Sequence, residues 1–336
     1  MNDFKFYFFW VNLLVSIIAS IILFPINWIF GLIFLITFVV QSIFAVLTYF
    51  DSIWWPYHKV IDTDCVDIEK VEIPSSTEGK SLNGVIIRKK NSDRTKKHVG
   101  ILFHHGYTGF KEKVFRFAIT LAMNDFVVLC PDGRGHGFKQ KSFGDMEDFK
   151  GIALDVGKEI DLLASLQDVD KERLVMMGHS MGGIMTLSAG YKDDRIKKLV
   201  SISAPYDMLE MFGRHKTIIT RVIRSRVTKY VKNDPEFIAS GETIEEFSRR
   251  ISAKYTLQYN SPHPDKDRVY LVHCKPDDLV LFDQALKAKE ALDLPDKNCL
   301  FLEQPTTKWI MAAHNLTGQA SIIATFCILV AKALKQ

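Results

Sequence analysis

Several things are scarce in this chain, and each scarcity narrows the reading. Cysteine is limited to Cys65, Cys130, Cys274, Cys299 and Cys327. An odd number of thiols with no CxxC and no Cys/His spacing argues against a disulfide framework and against a zinc site, and fits reduced thiols. No internal repeat and no low-complexity tract is present, which excludes a solenoid or a disordered array. Charge of one sign is not in excess: 43 Lys and Arg face 39 Asp and Glu, a net +4. So small a surplus gives no footprint for a nucleic-acid partner. Most conspicuous, no Asp, Glu, Lys or Arg occurs from Phe6 to Phe50.

Roughly 20 apolar residues span a bilayer, so a charge-free run of this length predicts two spans. The break falls at "FPINW", around Pro25 and Asn27, giving expected helices at 7–24 and 28–50. Trp10, Trp28, Trp54 and Trp55 lie near the expected span ends, where amphipathic rings prefer to sit. A secretory signal peptide has a shorter apolar region and a small-residue cleavage site, and neither is seen here. A buried core hairpin is disfavoured because a soluble domain rarely has 45 uncharged residues to hide, and a re-entrant, half-inserted loop is a further arrangement such a segment can adopt. Lys5 and Lys59 flank the run while the turn carries no basic residue. By the positive-inside tendency both ends, and with them the following domain, are expected to be cytoplasmic. Residues 1–60 are thus expected to be a two-span, multi-pass membrane anchor.

At 336 residues, 47% of them hydrophobic, the chain has room for one large domain beyond that appendage. From residue 61 short β-rich runs alternate with helical patterns. The strand candidates are "CVDIEKVEI", "LNGVIIRK", "HVGILFHH", "DFVVLCPD", "RLVMMGH", "KKLVSISA", "RVYLVHC" and "NCLFLEQ". Helical patterns fall at 111–124, 146–167, 181–191, 283–292 and 317–335. The central strands are near-continuous apolar runs, as in a parallel sheet covered on both faces. The first two, joined by a short connection, look antiparallel. The expected class is α/β, doubly wound.

"RLVMMGHSMGGIM" reads as strand, sharp turn and helix, with Ser180 at the turn. Gly178 and Gly182 stand two residues to either side, where a side chain would meet the neighbouring strand or helix. Such a G-x-S-x-G turn projects the serine hydroxyl above the carboxyl edge of a sheet, with a helix N-terminus aimed at it. A serine hydroxyl needs a base, and the base an orienting acid. "KPDDLV" places Asp277 or Asp278 after one later strand, and "PTTKWIMAAHNLTG" places His314 after the next. The order Ser, Asp, His is the one this architecture uses.

An oxyanion hole completes the set. "HHGYTGF" ends a strand, and Gly106 lets the backbone turn the Tyr107 N–H toward a developing oxyanion. The Met181 N–H, one residue past the serine, is the expected second donor; one such donor contributes about 3–4 kcal/mol to the transition state. His104 and His105 have no further ligand at metal-binding spacing and are read as support for this loop. "NLT" at Asn315 is a formal glycosylation triplet of the kind chance supplies.

From about residue 65 to the end, the chain resembles the α/β-hydrolase superfamily, on "HGYTG", "DGRGHG", "GHSMGG", "HCKPDDLV" and "AAHN". Within it the chain is similar to the branch holding monoacylglycerol lipases, lysophospholipases, serine aminopeptidase-like proteins and cinnamoyl or feruloyl esterases. The resemblance implies a mostly parallel eight-stranded sheet with helices on both faces, and it favours Asp277 over Asp278 as the acid. It also implies a helical cap, expected at 205–262, where the sheet pattern is interrupted. The chain departs from the family pattern at Lys139, where a serine is usual, at Cys274, where a glycine is usual, and at Ala312 and Ala313, where glycines precede the histidine.

In the cap, residues 211–232 hold seven Lys and Arg and no acid. Ile219, Val222, Ile223, Val227, Tyr230 and Val231 can share one helical face, with Arg221, Arg224 and Lys232 away from it. Such a helix either lies on an anionic membrane or packs its apolar face on the domain below. The sequence reading is therefore a membrane-anchored serine hydrolase of carboxylic esters, with a lipid-derived acyl ester as substrate. Ser180 is expected to be the nucleophile, His314 the base, Asp277 the acid, and Tyr107 and Met181 the oxyanion donors. No metal or organic cofactor is implied. The alternatives are a peptidase or thioesterase on the same machinery, or an inactive binding protein of the same fold.

Overall fold

The computed structural model describes residues 14–22, 24–40, 63–138, 140–214, 218–259, 266–303, 314, 316 and 319–334. The chain divides into two compact units, Met1–Ile61 and Asp62–Gln336. In the first, residues 14–22 (α1) and 28–40 (α2) are helical. Asn27 caps α2, its Oδ1 accepting from the Ile29 N–H at 3.0 Å.

These helices overturn the expected anchor. Among the described residues no helix is long and apolar enough to cross a membrane. At 1.5 Å per residue the described residues of α2 extend about 20 Å, against a hydrocarbon core of about 30 Å. A run without charges permits a spanning helix but does not set the length of the helix that forms. The two-span membrane localisation, the cytoplasmic placing derived from it and the membrane as partner through the hairpin are corrected accordingly. Trp10, Trp54, Trp55, Lys5 and Lys59, on which the span ends and orientation rested, lie outside the described residues, as do Lys139, Ala312, Ala313 and Asn315.

The larger unit is an α/β-hydrolase fold. Its strands are β1 (Val66–Pro74), β2 (Ser81–Lys89), β3 (His98–His104), β4 (Val127–Pro131), β5 (Val169–His179), β6 (Ile196–Ile202), β7 (Val269–Cys274) and β8 (Cys299–Leu302). They form one sheet of eight strands in the order β1-β2-β4-β3-β5-β6-β7-β8. β1 pairs with β2, and β2 with β4, antiparallel. Every pairing from β4 onward is parallel. The apolar runs explain this division: β1 is buried only at Val66 and Ile73, whereas all five residues of β4 are buried. A strand covered on both faces suits a parallel interior.

The crossing helices are α3 (Phe115–Met123), α4 (Phe149–Ser165), α5 (Met181–Met185, continuing as a π-helical turn through Gly190), α11 (Phe282–Ala291) and α12 (Ala320–Lys332). α4 buries Ile152, Val156, Ile160 and Leu163 at helical spacing. Its N-cap is Asp148, whose carboxylate accepts from the Gly151 N–H at 2.8 Å.

Between β6 and β7 the described residues form the helices α6 (Met208–Arg214), α7 (Ile218–Lys232), α8 (Pro235–Ser240), α9 (Ile244–Arg250) and α10 (Ala253–Tyr259). α7 buries Thr220, Val227 and Val231 and joins the core through the last two, so its apolar face packs inward. Val222 is not on that face; it is 51% exposed. Of the other residues expected there, the Ile219 side chain lies outside the described residues.

Candidate active site

The site sits at the carboxyl ends of β3, β5, β7 and β8. Ser180 follows β5 directly, with φ 55° and ψ −115°. A non-glycine residue at positive φ is held there by its surroundings. Its N–H donates to Ile202 O at 2.8 Å, which extends the β5–β6 pairing past the turn. A Cβ on Gly178 would stand 2.1 Å from Gly182 O, and one on Gly182 would stand 2.4 Å from His104 O. Both glycines are therefore required by close approach: Gly178 lets the helix fold back over the strand, and Gly182 lets the end of β3 lie against the helix.

His314 reaches across to this turn. Its Nε2 is 3.0 Å from Ser180 Oγ and its Nδ1 is 2.9 Å from Asp277 Oδ2. His314 is 2% exposed and Asp277 3%. The other Asp277 oxygen accepts from the Leu279 and Val280 N–H groups, each at 2.9 Å. Burial pushes the Asp277 carboxyl up, but His314, His273 and the Val280 N–H outweigh it and hold it below the usual carboxylate range. Asp278 is exposed. The structure thus brings Asp277, and not its neighbour, to His314. His179 donates from Nε2 to the His314 carbonyl at 2.7 Å and steadies the loop from the nucleophile side.

Tyr107 lies in a turn closed by the Gly109 N–H on Gly106 O at 2.8 Å. A Cβ on Gly106 would stand 3.1 Å from Ser180 Cβ, so this turn rests on the serine. Met181 is the first residue of α5, where a helical N–H has no partner within the helix. The two expected oxyanion donors thus belong to the turn beside Ser180 and to the helix start that follows it. His105 supports the turn: its Nδ1 donates to Gly106 O at 2.8 Å and its Nε2 accepts from the Gly133 N–H at 3.1 Å. Burial, with His136 and His104 adding, pushes its pKa well below the ordinary histidine value. His104 is buried against Glu159, Nε2 to Oε2 2.9 Å. Asp132, fully buried, accepts from the Lys111 N–H at 2.7 Å and pairs with the Lys111 ammonium, which fixes the far end of the same loop.

The "DGRGHG" segment is pinned by Arg134. Its Nε is 2.7 Å from Asp155 Oδ2, its Nη1 2.7 Å from Asp148 Oδ2, and its Nη2 2.8 Å from Ser76 Oγ. Two residues near the site had no signal in the sequence. Glu147, buried before α4, accepts the Tyr107 phenol and pairs with Arg226 on α7, Nε to Oε1 2.7 Å. A cavity of about 1140 Å³ lies between α7, α9 and the start of α4. Glu147, Asp148, Asp207, Asp234, Glu242 and Glu246 line it, together with basic and aromatic side chains. Ser180, His314 and Asp277 are not in its lining.

The family described as "Serine aminopeptidase, S33" matches residues 95–262. That is 168 residues, half of the 336. "Putative esterase YitV" of Bacillus subtilis (strain 168) is 30% identical over 146 residues, covering 40% of this chain and 56% of that protein. The chain spans about half the length of the curated relatives it matches. Two solved structures share the fold at low identity. An acetyl xylan esterase from Paenibacillus sp. R4 superposes with TM-score 0.57 at 16% identity, over 81% of this chain and 85% of that one. An acylaminoacyl peptidase from Pyrococcus horikoshii superposes with TM-score 0.55 at 16% identity, over 80% of this chain and 42% of that one.

Proposed function

The chain belongs to the serine aminopeptidase S33 family of hydrolases, and on that premise we propose that it is a serine hydrolase acting on carboxylic esters through an acyl-enzyme. The observation that carries this reading is the single imidazole of His314 lying within hydrogen-bond reach of both Ser180 Oγ and Asp277 Oδ2. In this mechanism Ser180 attacks the carbonyl carbon while His314 Nε2 takes its proton. Asp277 keeps the Nδ1–H tautomer and stabilises the imidazolium that forms. The Tyr107 and Met181 N–H groups receive the oxyanion. His314 then gives its proton to the leaving alkoxide, and a water deprotonated by the same imidazole releases the acid.

Support for an ester comes from the similarity to proteins described as esterases. With the membrane anchor withdrawn, a lipid-derived acyl group rests on the resemblance to monoacylglycerol lipases and lysophospholipases alone. An amide substrate is the second reading. It is favoured by the family description. Labelling by a fluorophosphonate, then turnover of p-nitrophenyl esters beside aminoacyl p-nitroanilides, separates the two. Faster turnover of the anilides would replace the ester reading with the peptidase one, and absence of both labelling and turnover would remove the hydrolase reading altogether.

A further inference from the structure

The cap touches the oxyanion loop at one charged side chain. Arg226, on the cap helix α7, makes three contacts toward the body of the domain. Its Nε is 2.7 Å from Glu147 Oε1, its Nη2 is 3.3 Å from Met146 Sδ, and its guanidinium carbon is 5.9 Å from the centroid of the Tyr107 ring. Glu147 is 4% exposed, and the same Oε1 accepts the Tyr107 phenol. Its own backbone N–H is held by Asp145 Oδ1 at 3.0 Å. The chain of contact therefore runs cap arginine, buried carboxylate, phenol, and ends on Tyr107, the expected oxyanion donor in the turn beside Ser180.

The turn that Tyr107 occupies needs such an anchor. Thr108, the next residue, is at φ 56°, in the left-handed region that a β-branched side chain avoids. A strained turn relaxes unless its neighbours hold it, and relaxation here would rotate the Tyr107 peptide away from the serine. Gly106 presses on Ser180 from one side, and the Glu147 carboxylate fixes the phenol on the other. Burial makes that carboxylate dependent on the Arg226 guanidinium paired with it.

We infer that Arg226 and Glu147 are positioning residues that couple the seating of cap helix α7 to the orientation of the Tyr107 oxyanion donor. The inference rests on the serine-hydrolase reading. Neither residue touches the reacting atoms; with α7 seated the donor is aligned, and with α7 displaced it loses its anchor. Chemistry at Ser180 thereby depends on a closed cap.

The test is a double-mutant cycle on the full chain, with p-nitrophenyl butyrate as substrate and fluorophosphonate titration counting functional serines. Arg226→Gln and Tyr107→Phe are each expected to lower kcat about tenfold per titrated site while KM stays within about twofold, because only alignment in the transition state is lost. The double variant should be no slower than the slower single one, and Arg226→Lys should restore part of the rate. Additive losses, or losses confined to KM, would overturn the coupling and leave the hydrolase reading standing. A wild-type chain that neither reacts with the fluorophosphonate nor turns over the ester would overturn both.

Discussion

His314 Nε2 lies 3.0 Å from Ser180 Oγ, two atoms brought together across 134 residues of chain. A hydroxyl at that distance from an imidazole can be deprotonated as it attacks, and neither partner has that reactivity alone. Ser180→Ala and His314→Ala should therefore each abolish fluorophosphonate labelling and lower kcat on the order of 10⁶-fold. Undiminished labelling of folded Ser180→Ala protein would remove the nucleophile assignment.

The acid is discriminated by a one-residue comparison. Asp277 is buried with three groups hydrogen-bonded to its carboxylate, whereas Asp278 is exposed. Asp277→Asn should reduce kcat on the order of 10³- to 10⁴-fold, through loss of the correct tautomer and of the charge that stabilises the imidazolium. Asp278→Asn should change it less than about twofold. Equal effects would remove the assignment of Asp277 over Asp278 as the acid.

Much of this was legible because the decisive signals are local. The strands show as apolar runs bounded by charge, and Ser180 shows through glycines whose absent side chains would collide with Gly182 O and His104 O. Asp277 and His314 were findable only as members of an ordered set at strand ends. Glu147 and Arg226 were not findable: their pairing joins a loop to a cap helix and leaves no periodicity on either. The hairpin was misjudged because missing charge reports solvent preference and not helix length. Val222 was misplaced because a helical wheel identifies residues that can share a face but not the neighbour that covers it.

Acid should weaken the fold through His136. Burial, offset in part by donation from Nδ1 to Arg134 O at 2.7 Å, lowers its pKa from 6.5 to about 4. As pH falls below 6.5 the unfolded chain takes up the proton and the native one does not, so stability declines until pH reaches the folded value near 4. A shift of this size corresponds to about 3 kcal/mol across that window. Urea unfolding of wild type and His136→Gln between pH 7 and 4 should show the variant losing less, by about that amount. Parallel curves would contradict a buried neutral imidazole.

Arg134 and Asp155 form the polar clamp between the "DGRGHG" loop and α4. Asp155 is 1% exposed and accepts from Arg134, Ser75 and Ser76. Removing Arg134 leaves Asp155 buried without its cation, whereas removing Asp155 leaves Arg134 its pair with Asp148. Arg134→Ala should therefore destabilise by about 3–5 kcal/mol in urea unfolding. Replacing both residues by apolar ones of similar volume should be milder than the single change. A double variant as unstable as the sum of two singles would show that the pair is not the source of the loss.

Two glycines separate the demands of the site from those of the helix. At Gly182 an added Cβ would lie 2.4 Å from His104 O and 2.8 Å from His105 O, both backbone atoms leading into the oxyanion turn. At Gly157, inside α4, an added Cβ meets nothing within 4 Å. Gly157→Ala should raise stability by roughly 0.5–1 kcal/mol, since alanine loses less backbone freedom on entering a helix, and leave turnover unchanged. Gly182→Ala gains the same helix propensity, yet it must push the end of β3 away from α5. The Tyr107 N–H moves with that strand end, and a displacement of about 1 Å at an oxyanion donor costs roughly 10²-fold in rate. The expected result is a Gly182→Ala protein that binds substrate with nearly unchanged KM but turns it over about a hundred times more slowly. A Gly182→Ala variant with wild-type kcat would mean that β3 and the helix separate without moving the donor, and that the tight approach at this glycine serves packing alone.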